Sequence, residues 1–157
     1  MPFLKFEIDM PTESHRLADG LRNLVTRPNW LGLPQDKTAL FIGRVHEMSF
    51  RIMRIVKGRD SFNPLLYGRF TQGMAGTHLD VILTFHPFVW FFIIAWNCFG
   101  LYAAFVGLGQ AGPNRAIPLF MIFILWAIAV PIFYYDARKS KELLQECVKR
   151  IVEEASR

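Results

Sequence analysis

The chain has 157 residues, 52% of them hydrophobic and 15% aromatic, with a formal net charge of +5. That length holds one compact domain plus attachments, and the apolar share lies close to the globular average of about 45–50%, so distribution says more than the total. Residues 1–86 alternate apolar and charged positions, 88–108 and 116–135 carry no charge, and 136–157 are densely charged, which argues against a wholly soluble protein, a disordered tail and a disulfide-stapled secreted domain.

In chain order, residues 4–10 predict a half-buried strand, with Leu4, Phe6, Ile8 and Met10 on one face and Lys5, Glu7 and Asp9 on the other. A short helix follows Pro11, with Leu17, Leu21, Leu24 and Val25 on one stripe and Thr12 or Ser14 as N-cap. Residues 27–36 form a Pro/Gly loop. Residues 38–46 and 48–57 predict paired strands rich in Ile, Val and Phe, and a turn over 58–64 leads to a strand over 65–71. After a turn at 72–76, residues 77–85 alternate Leu79, Val81, Leu83 and Phe85 against His78, Asp80, Ile82 and Thr84. The expectation for 1–86 is a cytoplasmic, five-stranded antiparallel meander with one helix, running into His86-Pro87 with almost no linker.

Residues 88–108 and 116–135 then predict two transmembrane helices, a hairpin occupying 87–135. About 20 residues rising roughly 1.5 Å each cross a hydrocarbon core of roughly 30 Å, and lipid requires every backbone amide to be satisfied internally. Neither segment has the polar stripe of a buried soluble helix. The connector contains only Arg115 as a charge, whereas bases crowd the approach to the first span and Arg138, Lys139 and Lys141 follow the second, so the positive-inside bias places both termini in the cytoplasm. No apolar signal run opens the chain. Cys98 and Cys147 fall in positions that disfavour a structural disulfide.

Within the hairpin, Gly100 and Ala104 form a small-xxx-small pair, as do Ala103 and Gly107, which favours close helix packing in lipid. Counting outward from the turn sets Asn97 at the depth of Ala127, so Asn97 is expected to accept a hydrogen bond from the Trp126 indole or to bond across a homo-oligomer interface. A pore-lining Asn97 is the alternative. Pro131 should kink the second span, while Pro118 lies in a first turn where its missing N–H costs little. Residues 136–157 form an amphipathic helix with Leu143, Leu144, Cys147, Val148, Ile151 and Val152 as its apolar stripe. Covering the sheet is its economical role; lying on the membrane or pairing with a second copy are the others.

Chemical constellations are scarce. The four histidines show no zinc-ligand spacing, and no G-x-S-x-G, C-x-x-C, Walker or H-E-x-x-H motif occurs. No catalytic residue, metal or cofactor is expected, although His78 and Asp80 share one strand face, with His86 at the same parity, and an enzymatic site would require a ligand-lined pocket containing His78 and Asp80. The richer cluster is Arg44, Arg51, Arg54, Lys57, Arg59 and Arg69, opposed between 44 and 69 only by Glu47 and Asp60. Positive-inside charge and protection of strand edges account for it first. Anionic lipid headgroups come second, and a phosphate-bearing soluble ligand such as a nucleotide third, gripped by Arg forks. Nucleic acid is not expected, because no RNP-like aromatic motif accompanies the bases.

The run Phe50-Arg51-Ile52-Met53-Arg54, then Arg59-Asp60-Ser61-Phe62-Asn63-Pro64, Tyr67-Gly68-Arg69, Gly76-Thr77 and His86-Pro87 before a span resembles small uncharacterised bacterial two-span membrane proteins with an N-terminal β-domain. The resemblance covers about residues 38–145 and departs at Gly58 and Asp60, where that family favours Tyr and Asn. It implies a two-pass protein of the bacterial cytoplasmic membrane, α+β in class, and no particular activity. In parts alone the chain is also similar to two-span β-barrel effectors of cyclic-nucleotide anti-phage signalling, which place their spans before the β-domain. Three functions follow: a non-catalytic, self-associating sensor or interaction module anchored in the bilayer; a membrane-perturbing effector whose β-domain senses a nucleotide; and, weakest, an enzyme acting on lipid or nucleotide.

Overall fold

The computed structural model describes residues 3–27, 39–56, 63–73, 76–107 and 116–155. The elements run β1 (Phe3–Met10), α1 (Ser14–Leu24), β2 (Val25–Thr26), β3 (Phe41–Val45), β4 (Ser49–Arg54), β5 (Leu65–Gly73), β6 (Gly76–Thr84), α2 (Pro87–Gly107) and α3 (Ala116–Ala155). The class is α+β, with one mixed six-stranded sheet in the order β1-β6-β5-β4-β3-β2.

The alternation along each strand decides the layering. Phe6, Met10, Phe50, Ile52, Leu66, Phe70, Leu79, Val81 and Leu83 point to one face and are buried there. Burying each such side chain contributes about 1.5–3 kcal/mol. Across that face lie α1, through Leu17, Ala18 and Leu21, and the C-terminal half of α3, through Leu144, Cys147, Val148 and Ile151. Covering the sheet is thus the role the last helix takes. One packing detail fixes the middle of the sheet: Phe50 and Gly68 are cross-strand partners, and the Phe50 ring occupies the space any Cβ at residue 68 would need.

Four expectations need correction. The meander holds from β3 to β6, but β1 pairs antiparallel with β6 over its whole length instead of with its sequence neighbour. A sixth strand, β2, pairs parallel with β3; it has two residues, too few to show a period. Neither Thr12 nor Ser14 caps α1 with its side chain; the N-cap is Glu13, without a side-chain bond. Gln72 on β5 instead accepts from the Ser14 N–H at 3.1 Å, and Thr77 donates to the Thr12 carbonyl at 2.6 Å, so the helix start is satisfied from the sheet. Finally, the second apolar segment and the terminal amphipathic segment are one helix of 40 residues that continues through Pro131. Pro131 lies inside that helix, between the buried Ala129 and Phe133.

Phe85 and His86 are the two residues between β6 and α2. His86 caps α2: its Nδ1 accepts from the Phe88 N–H at 3.2 Å, its carbonyl accepts from Val89 and Trp90, and Pro87 fills the first helical position. Phe85 is fully covered, packed on Phe133 with ring centroids 4.6 Å apart and edge-on to Trp90 at 5.9 Å. Val89, Ile93, Ala129, Phe133 and Ala137 join the same buried cluster as the sheet. Beyond them α2 and the first half of α3 expose Phe91, Phe99, Phe105, Ile117, Phe120 and Phe123. Both helices are long and apolar enough to cross a membrane.

Candidate functional site

Cross-strand register arranges the face of the sheet turned away from α1 and α3 in rows parallel to the hairpin end; Ile42 and Leu65 at that end are buried, while Arg44, Arg51, Tyr67 and Ile82 are exposed. Nearest the apolar helices runs Phe3–Thr84–Leu65–Met53–Ile42. The next row is Lys5–Ile82–Tyr67–Arg51–Arg44, then Glu7–Asp80–Arg69–Ser49, and farthest Asp9–His78–Thr71. The face therefore grades from apolar, through basic and aromatic, to acidic within one sheet.

The basic row carries most of the residues singled out by sequence. Arg44 and Arg51 stand directly opposite each other on β3 and β4, a like-charge pairing that opposes sheet formation. Among the described residues neither joins an ion pair. The Arg51 guanidinium carbon lies 5.4 Å from the centre of the Tyr67 ring, a cation–π contact that steadies the fork while leaving its N–H edges free. Arg51 lines two adjoining cavities, one of about 410 Å³ with Tyr67 and Arg69, the other of about 500 Å³ with Arg44, Met53, Leu65 and His86. Arg69 belongs to the third row, next to Asp80.

Arg54 is not part of this face. Its strand parity sends it under the cover, where it donates to Asp136 on α3 at 3.3 Å, both side chains largely buried. Its Nε is buried without a partner, while its backbone carbonyl accepts from Asn63. Arg54 therefore ties the sheet to α3 at the point where the apolar run of that helix ends. Lys57 and Arg59 lie outside the described residues. Sequence reasoning missed Asp136; the available signal was a lone acid at the end of an apolar span, ahead of the bases that span ends usually carry.

The acidic end holds His78, Asp80, Glu7 and Asp9. Asp9 hydrogen-bonds His78 Nδ1, and His78 Nε2 lies 3.7 Å from Glu7 and 3.8 Å from Asp80. The Asp9 carboxylate holds the imidazole above its ordinary value of 6.5. Glu7, His78 and Asp80 could each offer a donor to a metal ion, yet Lys5 already sits on that pair of acids, 2.8 Å from Glu7 and 3.3 Å from Asp80. Its ammonium is held above its ordinary 10.5 by those bonds. His86 is separate, engaged in capping α2, whereas His78 and Asp80 lie side by side.

In the helix pair, Trp126 Nε1 donates to Asn97 Oδ1 at 3.3 Å, the bond expected from depth counting, and Asn97 Nδ2 donates to the Ile93 carbonyl at 2.7 Å. Both ends of the amide are thus engaged within one chain. Gly100 is buried against Ile122, whose methyl groups fill the space a Cβ would take, and Ala104 is half-buried one turn on. Cys98 and Cys147 are both free thiols; burial pushes the Cys147 thiol up.

No protein-family model and no curated protein matches the chain. Among solved structures it is similar to protein MLL2253 from Mesorhizobium loti, at 10% identity over 98% of each chain with a TM-score of 0.40, a likeness too loose to carry an argument about fold or function.

Proposed function

We propose that the protein is a non-catalytic sensor or interaction module, anchored in the bacterial cytoplasmic membrane by α2 and the first half of α3, with the sheet and both termini in the cytoplasm. What supports this reading is the continuity of α3, an apolar and exposed helix over its first half that becomes, without a break, the cover of the sheet over its second. An anchor attached through a flexible linker would leave the sheet indifferent to the bilayer. Here the sheet, the cover and the anchor share one core through Phe85 and Phe133, so a movement of the helix pair moves the cover. The exposed apolar surface of the pair is where copies would associate, and the motif resemblance to two-span bacterial proteins belongs to the same reading.

The test is a topology map in intact cells. With Cys98 and Cys147 replaced by Ser, a cysteine at Gly112 should react with an impermeant maleimide from outside, and a cysteine at Lys149 only after the membrane is opened. Carbonate-washed membranes should retain the protein, and crosslinking there should yield multimers. A chain that stays in the aqueous fraction, or a Lys149 site labelled from outside, overturns the anchor; monomers alone overturn self-association.

A further inference from the structure

We propose that Arg44 and Arg51, both exposed, form a binding site for the phosphate of an anionic phospholipid, on the sheet face turned away from α1 and α3 and next to the row nearest the hairpin; the lipid source of that phosphate rests on the anchored reading above. Two guanidinium groups fixed opposite each other repel, and no carboxylate among the described residues compensates them. The acids on this face are spent elsewhere: Glu7 and Asp80 hold Lys5, and Asp9 holds His78. Such a pair is stabilised by an anion that both forks can grip, and phosphate oxygens match that geometry.

The surroundings select a lipid over a soluble phosphate. Arg44 and Arg51 border a cavity of about 500 Å³ whose wall includes Ile42, Met53 and Leu65, the apolar row on the side of the helix pair. His86, the cap of α2, lines the same cavity, so it lies level with the start of the apolar helices. A phosphate seated on the arginines would have apolar wall toward the helices and open water toward the acidic row. That polarity suits a molecule with an acyl end and a phosphate end. A nucleotide has a polar ribose and base to place, and this cavity offers them an aliphatic wall.

The experiment uses the full-length protein in a neutral detergent, so that it does not depend on how the chain sits in a bilayer. Short-chain phosphatidic acid, short-chain phosphatidylcholine, inorganic phosphate and ATP are titrated against it by isothermal calorimetry. Phosphatidic acid should bind, and the paired change Arg44→Gln with Arg51→Gln should weaken it roughly tenfold or more, the scale of losing one charge-assisted bond. Arg150→Gln, on the far side of α3, should leave binding unchanged. Native mass spectrometry after extraction from membranes should show one anionic lipid retained per chain, lost in the paired variant. Equal affinity for the paired variant overturns the site, as does unfolding-free loss of binding with Arg150→Gln. Binding of phosphate or ATP as tight as that of phosphatidic acid overturns the lipid assignment. A protein that binds phosphatidic acid through Arg44 and Arg51 yet washes off membranes in carbonate would uphold the site and refute the anchor, so the two failures are separable.

Discussion

The two halves of α3 have the same backbone and opposite surroundings. From Ala116 to Tyr135 most side chains are exposed, and nearly all are apolar: Ile117, Leu119, Phe120, Phe123 and Ile128 each leave more than half of their surface open. From Asp136 onward the helix is amphipathic, with Ala137, Ser140, Leu144, Cys147, Val148 and Ile151 forming one buried stripe and Arg138, Arg150 and Glu153 on the outside. The same residue type means different things on the two sides of Asp136. An apolar side chain in the second half is held by the sheet, whereas most of those in the first half face outward from a helix long and apolar enough to cross a membrane. On the anchored reading proposed above, one helix would link two solvents.

The largest effect that would break this comparison is Phe133→Ala. Phe133 lies in the first half but is fully buried against Phe85, and its truncation should cost about 3–5 kcal/mol in detergent-solubilised unfolding. Phe123→Ala, equally apolar and two-thirds exposed at 67%, should change stability by less than about 0.5 kcal/mol in the same assay. If both cost the same, the two surroundings are not distinct. Next, Asp136→Ala leaves Arg54 buried and unpaired, and should cost about 1.5–3 kcal/mol. A double-mutant cycle with Arg54→Met would then recover part of the loss, since the coupling lies between the sheet and the helix. Asn97→Ala and Trp126→Phe should each cost only about 0.6 kcal/mol, and together no more than one alone, because they share one bond.

The smallest effect is a pH dependence confined to the sheet. His78 titrates above its ordinary value when folded, so its protonation adds stability that is full below about pH 6.5 and fades as pH rises through the raised folded value. Melting temperature should therefore fall as pH rises above about 6.5, and His78→Gln should flatten that slope. A slope unchanged in the variant would place its origin elsewhere.

Much of the fold was legible because it rests on local periods. Leu79, Val81 and Leu83 announce a strand by alternation, the charge-free segments announce themselves by length, and the Asn97–Trp126 bond follows from counting depth on both sides of a turn. What was not legible depends on contacts distant in sequence. Nothing in residues 3–10 says that β1 pairs with β6 and not with the next strand, since its two faces would be satisfied by either neighbour. That the helix runs on from the second apolar segment into the terminal one is likewise set by packing, of Phe133 and Ala137 into the common core, and not by a local period. Strand parity in the sequence already puts Arg51 and Arg54 on opposite faces, but only the register sets Arg44 beside Arg51, and only the fold brings Arg54 beneath the cover to Asp136.

β1 has β6 on one side and no strand on the other among the described residues, and a bare flank of that kind ordinarily invites a second molecule to extend the sheet. Its sequence would even allow it, since antiparallel copies centred on Phe6 would set Lys5 against Glu7 of the neighbour. Yet the N-terminal end of β1 lies beside the point where β6 passes into α2, so such a neighbour would send its own helices the opposite way. Two chains embedded in one bilayer have no means of doing so. Anchoring would then add to whatever protection Lys5, Glu7 and Asp9 give this flank, and would direct any self-association to the helices.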